Sequence, residues 1–364
     1  MKILILANIG MGLYKFRKEL IEKLINLNYD IYISLPYDEY FSQLQELGCE
    51  CIETDFNRRG KNPINDIKLF INYIKLIKKI KPDVVFTYTI KPNIYGGIVC
   101  RLLKIPYIAN ITGLGTAVEN AGTLQKLTVW LYKIALKKVN CAFFQNSENM
   151  EFFAEKKIAL GKHRLIPGSG VNLEHFCVLN YPPYNTLEFV FISRIMKEKG
   201  IDQYLEAAEY IRNKHPNTRF HICGFCEEEY ENKLKEIQNK DIIIYHGVVS
   251  DVREILKIVH CTVHPTYYPE GLSNVLLESS ACGRPVITTD RAGCKEVIDD
   301  GVNGYIVKQK DSQDLIEKIE RFIELDYEIK KQMGLAGRKK VEQSYDRNIV
   351  INEYMKEIEL IKNK

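Results

Sequence analysis

The chain has 364 residues, which favours two domains, and its 46% hydrophobic and 27% charged content is typical of a globular protein rather than a disordered one. No stretch approaches 18 consecutive apolar residues, and the apolar run after Lys2 is too short for a signal peptide, so we expect a cytoplasmic protein without a spanning helix. Residues 1–170 carry 24 Lys and Arg against 15 Asp and Glu, a net charge of +9, whereas the remainder has a net charge of −5, so the first half is expected to meet an anionic partner.

The first half of the chain alternates short apolar runs with amphipathic stretches. Near-continuous apolar strands separated by helices are typical of a parallel, doubly wound α/β sheet. The predicted strands are 2–8, 29–36, 49–56, 82–89, one within 105–116 and 141–146, and the predicted helices are 14–28, 39–48, 66–80 and 124–138.

The second half repeats this alternation after a Pro- and Gly-containing segment at 165–176, which we take as the domain boundary. The sequence therefore predicts two Rossmann-like domains, 1–168 and 169–345, facing across a ligand-binding cleft. A last helix, 346–364, is expected to pack back on the first domain. The predicted strands are 187–194, 219–224, 241–247, 261–266, 285–290 and 304–307, and the predicted helices are 201–214, 229–238, 252–259 and one that contains Glu278.

Ten cysteines are scattered along the chain, and two of them form the sequence CGFC at Cys223–Cys226. A redox or zinc site would require a second pair or histidines at ligand spacing, and no second CxxC is present. We therefore expect free thiols, with Cys223 at the end of a buried strand.

The segment YYPEGLSNVLLESSACGRPVI places Glu270 and Glu278 with seven residues between them. Pro269 and Gly271 predict that Glu270 lies in a loop before the helix that carries Glu278. The two carboxylates then approach one ligand from different elements. Sugar hydroxyl groups are suitable partners for carboxylates placed beside a phosphate site.

Cationic and backbone groups near these carboxylates are suited to a diphosphate. Arg194 and Lys199 follow a predicted strand, and Arg supplies a planar fork while Lys supplies a point charge. The backbone N–H groups of 271–273 point outward at a helix N-terminus, where Ser273 is a predicted N-cap. The alternative interpretation is that both cations are solvated surface charges.

The segments SRIMKEKG, HGVVSDV and HPTYYPEGLSNVLLESSACGRPVITTD resemble the donor domain of retaining glycosyltransferases of family 4, which have the GT-B fold. The resemblance covers nearly all of 190–345, and GSGVNLEHF and KPDVVFTYTIKPNIYGG extend it to the first half. The most similar members belong to bacterial capsule, O-antigen and protein-glycan assembly. Many members carry a His where this chain has Thr112 and Gly113, so no role of that His is transferred.

The resemblance implies a role for individual residues of this chain. Glu270 would contact the donor sugar, with Arg194 and Lys199 on the diphosphate, as the catalytic set. The implied donor-binding residues are Gly10, Gly12, Val248, Gly271, Leu272, Ser273 and Glu278.

The implied activity is a retaining hexosyl transfer from a UDP-sugar, of an N-acetylhexosamine or related hexose, to a polyprenyl-diphosphate-linked saccharide. No DxD motif occurs, so we expect no metal, and the resemblance implies no cofactor and no nucleic-acid partner. Two alternatives remain: a nucleotide-sugar epimerase or phosphorylase on the same fold, and a non-catalytic sugar-binding scaffold at a membrane.

Two further features of the basic half suit the acceptor. Lys91 and Asn93 follow a strand and suit an acceptor diphosphate or sugar, although the segment is equally suited to starting a helix. Residues 124–138 place Trp130, Lys133, Lys137 and Lys138 on one amphipathic helix, typical of binding to an anionic membrane at the inner face of the plasma membrane. The alternative is that the apolar face covers the sheet and the lysines are solvated.

Overall fold

The computed structural model describes residues 1–54, 63–115, 118 and 122–363. The chain divides into two compact units: an N-terminal unit of Met1–Ser169 with Asn348–Lys364, and a C-terminal unit of Gly170–Arg347. The sequence had placed the two divisions at 168/169 and 345/346.

The N-terminal unit has seven parallel strands within the described residues. Their spatial order is β3-β2-β1-β4-β5-β6-β7. The last of them was not predicted from the sequence, and residues 55 and 56 of the predicted strand 49–56 lie outside the described residues. The strands are β1 (Lys2–Leu6), β2 (Asp30–Leu35), β3 (Glu50–Glu53), β4 (Val84–Tyr88), β5 (Tyr107–Ile111), β6 (Cys141–Phe144) and β7 (His163–Leu165).

Helices cover both faces of this sheet, because each face is lined by buried apolar side chains. One face is covered by α1 (Gly10–Asn26) and α2 (Phe41–Glu46). The other is covered by α3 (Pro63–Ile80), a π-helical turn (Pro92–Gly96) that continues into α4 (Gly97–Leu103), α5 (Thr123–Ala135) and α6 (Ser147–Glu155).

The C-terminal unit contains a second parallel sheet, with six strands among the described residues. Its order is β10-β9-β8-β11-β12-β13. The strands are β8 (Leu187–Ile192), β9 (Thr218–Cys223), β10 (Ile244–Tyr245), β11 (Cys261–His264), β12 (Val286–Thr289) and β13 (Gly304–Val307). The helices are α7 (Ile201–Lys214), α8 (Glu231–Asn239), α9 (Val252–Leu256), α10 (Asn274–Ala281), α11 (Ser312–Glu324) and α12 (Tyr327–Ser344).

Both sheets reverse their winding direction between their first and fourth strands, that is between β1 and β4 and between β8 and β11. In open α/β sheets, ligands bind beyond the carboxyl ends of the strands at such a switch point. The loops that follow β1, β4, β8 and β11 are therefore where functional side chains are expected.

The last helix, α13 (Arg347–Lys362), packs its apolar side chains into the core of the N-terminal unit beside α1. Its Tyr354 hydroxyl donates to Asn110 Oδ1 in β5 and accepts from the Tyr88 hydroxyl at the end of β4 at 3.0 Å. The end of the chain is thus part of the N-terminal unit.

Candidate active site

The loops after β8 and β11 lie side by side, since the two strands pair in parallel. Arg194 lies two residues after the end of β8, and Lys199 ends the short 3₁₀ turn that precedes α7. Glu270 lies in the loop between β11 and α10, and Glu278 lies within α10, so the two glutamates belong to different elements as predicted.

Lys199 and Glu270 form an ion pair between these two loops. Lys199 is only 7% exposed, an unusual position for a lysine unless it is paired. Burial alone would raise the pKa of Glu270, but the positive charge of Lys199, with a smaller effect of Arg194, outweighs it and holds that pKa below its ordinary value. Glu270 is therefore a carboxylate that accepts hydrogen bonds, not a proton donor.

Tyr268 brings the second cation to the same place. The Arg194 guanidinium lies 5.3 Å from the centre of the Tyr268 ring and the Lys199 ammonium 4.9 Å from it. Arg194 also forms an ion pair with Glu227. Cation–π contacts and an ion pair together fix the position of Arg194.

Close backbone packing joins the two loops. Gly200 has φ +80°, and a Cβ there would overlap the carbonyl oxygen of Pro265. The Tyr267 N–H donates to the Glu198 carbonyl oxygen at 2.9 Å. The loops that carry Lys199 and Glu270 are therefore locked to one another by backbone contacts.

Ser273 stands at the N-cap position of α10, as predicted, but its hydroxyl does not cap the helix. The hydroxyl instead lies 3.2 Å from His264 Nε2. His264 is 1% exposed, and burial, followed by the nearby charge of Lys199, lowers its pKa to about 3, so its imidazole is neutral. The first N–H groups of α10 thus receive no side-chain cap from Ser273.

The other predicted donor residues of the C-terminal unit differ in exposure. Gly271, Leu272 and Ser273 are buried at the start of α10, and Glu278 is half-buried. Val248 is 71% exposed after β10, in a position suited to contact with a ligand.

In the N-terminal unit, Gly10 begins α1 and its N–H donates to Asp38 Oδ2 at 2.6 Å. A Cβ at Gly10 would lie 2.5 Å from Asp38 Oδ1, so the absence of a side chain here is required by a carboxylate of the protein itself. At Gly12 a Cβ would meet only Ile9, at an ordinary 3.6 Å. The Gly10 N–H is therefore already engaged by an anion.

The two predicted acceptor residues have different environments. Lys91 Nζ lies 2.7 Å from Asp66 Oδ1, and the Tyr95 hydroxyl donates to the other oxygen of Asp66 at 2.8 Å. Asn93 is buried, accepts from the Thr87 hydroxyl at 2.6 Å and donates to a carbonyl oxygen of β5 at 2.9 Å. Its amide thus holds β4 and β5 together, and Lys91 is the member of the pair closer to the surface.

Helix α5 has two distinct faces. Its inner face, with Thr128, Tyr132 and Ala135, is buried against the sheet. On the outer face Leu124, Leu127 and Trp130 are exposed, Trp130 by 57%. The exposed lysines beside this stripe are Lys126, Lys133, Lys137 and Lys138. The inner face therefore covers the sheet, and membrane binding by the outer face stays a prediction. The helix predicted over 124–138 ends at Ala135, so Lys137 and Lys138 lie beyond its end.

The described residues contain neither a membrane-spanning helix nor a metal-binding cluster. No helix among them is long and apolar enough to cross a membrane. Within the same ranges, no group of three or more His, Cys, Asp or Glu side chains is arranged to hold a metal ion. All ten cysteines are free thiols, and Cys223 is buried at the end of β9.

Comparison with known families gives two matches, one in each half of the chain. Residues 182–340 match the model of "Glycosyl transferases group 1", and residues 2–146 match that of "Glycosyl transferase 4-like". The chain belongs to the glycosyltransferases, since the two models together match most of its length. The family predicted from the E-x7-E segment is thus confirmed.

Curated relatives of this glycosyltransferase extend over most of its length. It is 29% identical to the N,N'-diacetylbacillosaminyl-diphospho-undecaprenol alpha-1,3-N-acetylgalactosaminyltransferase of Campylobacter jejuni, with 98% of each chain covered. It is 27% identical to the UDP-Gal:alpha-D-GlcNAc-diphosphoundecaprenol alpha-1,3-galactosyltransferase of Escherichia coli, with 72% of each covered.

Solved structures with a similar fold include a glycosyltransferase from Rickettsia africae, with a TM-score of 0.83 at 21% identity over 100% of this chain and 99% of that one. Anabaena HepE in complex with UDP and glucose aligns with a TM-score of 0.79 at 17% identity over 98% and 99% of the two chains. At these identities the likeness concerns the fold, and it confirms the predicted GT-B class.

Proposed function

We propose that this glycosyltransferase moves an N-acetylhexosamine or related hexose from a UDP-sugar to a polyprenyl-diphosphate-linked saccharide, with retention of anomeric configuration, during assembly of a bacterial surface polysaccharide or glycan. The names of the Campylobacter and Escherichia relatives, which both contain a diphospho-undecaprenol or diphosphoundecaprenol acceptor, support the acceptor class. The UDP in the Anabaena structure supports the donor class.

The observation that carries this proposal is the Lys199–Glu270 ion pair beside Arg194, at the carboxyl ends of β8 and β11. A guanidinium has five N–H donors and an ammonium has three, so each cation keeps donors for phosphate oxygens after pairing with its carboxylate. Glu270, held ionised, is suited to accept hydrogen bonds from hydroxyl groups of the donor sugar.

The remaining contacts with the donor are assigned from the position of each residue in its unit. The residues just before α10 would offer the N–H groups of Gly271 and Leu272 to the sugar and diphosphate, whereas the Ser273 N–H already donates to the Gly293 carbonyl oxygen at 2.8 Å and Ser273 would use its hydroxyl. Glu278 would accept from the ribose hydroxyls and the exposed Val248 would lie near the base. In the N-terminal unit, Gly10 and Gly12 would approach the donor phosphate, and at Gly10 the phosphate would compete with Asp38 for the same N–H.

The proposed reaction is a front-face substitution. The acceptor hydroxyl oxygen forms a bond to the anomeric carbon while the bond from that carbon to the diphosphate oxygen breaks. The hydroxyl proton passes to the departing diphosphate, whose charge Arg194 and Lys199 stabilise. Prearranged donors of this kind are worth on the order of 3 kcal/mol each in the transition state.

The acceptor would bind through its diphosphate to the N-terminal unit, near Lys91 at the carboxyl end of β4. Because polyprenyl chains reside in membranes, the enzyme is proposed to dock on the inner face of the plasma membrane from the cytoplasm. The exposed apolar stripe of α5 supports this, together with Lys126 and Lys133 in the helix and Lys137 and Lys138 just after its end, since apolar side chains beside basic ones suit an anionic interface.

A donor screen tests this proposal. Purified enzyme is incubated with UDP- and GDP-sugars, with and without a polyprenyl-diphosphate-linked sugar, and released nucleotide is measured. We expect UDP release that requires the acceptor. UDP release that requires orthophosphate and not the acceptor would indicate a phosphorylase. Conversion of the donor sugar without any acceptor would indicate an epimerase. Binding of the donor without turnover would indicate a non-catalytic scaffold.

A further inference from the structure

Arg17, in the second turn of α1, is a buried cation that the proposed donor site does not use. Its side chain is only 4% exposed. Its Nη1 donates to the carbonyl oxygen of the neighbouring Phe16 at 2.7 Å, and its guanidinium lies 5.6 Å from the centre of the Tyr88 ring. Its Nε is buried and has no hydrogen-bond partner.

No Asp or Glu among the described residues forms an ion pair with Arg17. Burial disfavours its charge, but the oxygens of Tyr354 and Tyr88 outweigh that effect and keep its pKa above the ordinary value. Arg17 is therefore a charged group surrounded by neutral ones. A buried charge without a counter-charge destabilises a fold by several kcal/mol, and such groups concentrate at functional sites.

Arg17 is placed beneath the carboxyl ends of the central strands. Tyr88 is the last residue of β4, and its hydroxyl donates to Tyr354 of α13, which donates in turn to Asn110 near the end of β5. Asn93 and Thr87 continue this chain of hydrogen bonds. This network contains amides, phenols and a hydroxyl, and Arg17 is the charged group that packs against its Tyr88 ring.

We infer that Arg17 supplies the fixed positive charge of a diphosphate-binding site at the carboxyl ends of β1 and β4 in the N-terminal unit. This inference rests on the proposed function for the source of the diphosphate, which is either the donor or the lipid-linked acceptor. A bound diphosphate would provide a counter-charge that no Asp or Glu among the described residues provides.

The first test uses inorganic pyrophosphate and does not require turnover. In the Arg194→Ala/Lys199→Ala variant, which removes the two cations of the C-terminal unit, pyrophosphate should still raise the unfolding temperature. Adding Arg17→Met should abolish that increase. An increase of the same size with and without Arg17→Met would overturn the inference.

Stability separates an electrostatic role from a structural one. Arg17→Met should leave the unfolding temperature unchanged or raise it, because replacing an uncompensated buried charge by an apolar side chain is often neutral or stabilising. Lys330, a buried lysine of the C-terminal unit that donates to the carbonyl oxygens of Ile323 and Leu325, is the matched control. Lys330→Met should leave the response to pyrophosphate unchanged.

Kinetics identify the source of the diphosphate. Arg17→Met should weaken the binding of one substrate at least about thirtyfold, as expected when one partner of a buried charge pair is removed. Weaker UDP binding assigns the site to the donor, and a higher acceptor KM with unchanged UDP binding assigns it to the acceptor.

If Arg17→Met does not fold, Arg17→Gln, which retains hydrogen-bond donors without charge, takes its place. An Arg17 variant that loses stability but keeps its affinity for pyrophosphate and both substrates would contradict the inference. A wild-type enzyme that binds pyrophosphate but transfers no sugar would contradict only the proposed function.

Discussion

Lys199 and Glu270 are ion-paired although 71 residues separate them in the chain. The pairing follows from topology, because β8 and β11 are neighbours at the point where the second sheet reverses its winding. A cation for the diphosphate and a carboxylate for the sugar are thereby held in one place before a substrate arrives.

Replacing Glu270 by Gln is expected to reduce turnover at least about a hundredfold, the loss typical of a removed transition-state contact. The amide retains the shape but not the charge, and the residue lies in a loop, so the fold should persist, as checked by circular dichroism. Arg194→Ala should behave in the same way. Glu254→Gln, at an exposed glutamate paired with Lys257, is the control and should retain wild-type turnover. Near-wild-type activity of Glu270→Gln would show that Glu270 is not part of the active site.

Turnover is expected to persist in excess EDTA. The physical reason is that Arg194 and Lys199 neutralise the departing diphosphate, a task that other glycosyltransferases give to a metal bound by a DxD motif. The measurement is UDP release by enzyme dialysed against the chelator, compared with untreated enzyme. Loss of activity that Mg²⁺ or Mn²⁺ restores would show that the cation pair is insufficient.

His264 is expected to make folding stability depend on pH. Its folded pKa of about 3 lies below the ordinary value of 6.5, so between these values the unfolded chain binds a proton that the folded chain does not. The contribution of neutral His264 to the free energy of unfolding is therefore present above pH 6.5. It decreases as the pH falls toward 3, by up to about 1.4 kcal/mol per pH unit. His264→Gln should abolish this contribution, so its loss of stability between pH 7 and pH 5 should be smaller than that of wild type by about 2 kcal/mol.

Urea unfolding at the two pH values measures this difference. His175→Gln, at an exposed histidine, should follow wild type. Parallel behaviour of all three proteins would mean that His264 is not kept neutral by the fold.

Anionic vesicles should bind the enzyme through α5. Sedimentation is expected to require anionic lipid, to weaken with salt, and to fall when Lys133, Lys137 and Lys138 are all changed to Glu. Changing the exposed lysines of the C-terminal unit, Lys235, Lys257 and Lys339, to Glu gives the same change in net charge and should leave binding intact. If the wild-type protein remains in the supernatant at low salt, α5 does not bind anionic membranes and serves only to cover the sheet.

The sequence predicted the doubly wound sheets because parallel strands buried on both faces appear as short apolar runs separated by helices. It also predicted that Glu270 precedes a helix, since Pro269 and Gly271 flank it. Two helices, α11 and α12, were missed after β13, although Asp311 is a side-chain N-cap of α11 and therefore a signal that was present.

The partners of the site residues were beyond prediction from local patterns. Tyr268 and Glu227 hold Arg194, yet only the tertiary fold brings Glu227 near it. Ser273 was predicted correctly at the N-cap position, but a helix start does not reveal that a buried histidine binds its hydroxyl. Arg17 was missed because a basic residue in an amphipathic helix is ordinarily solvated.

The most direct test of the central claim is transfer to a defined acceptor. Wild-type enzyme is incubated with the UDP-sugar that the donor screen selects and a synthetic polyprenyl-diphosphate-linked sugar, and the product is analysed by mass spectrometry and by NMR of its new anomeric centre. The account predicts a lipid-linked product one sugar larger, with the α configuration of the donor retained, formed by wild type and lost in Glu270→Gln. A product of β configuration, or transfer that is undiminished in Glu270→Gln, would contradict it.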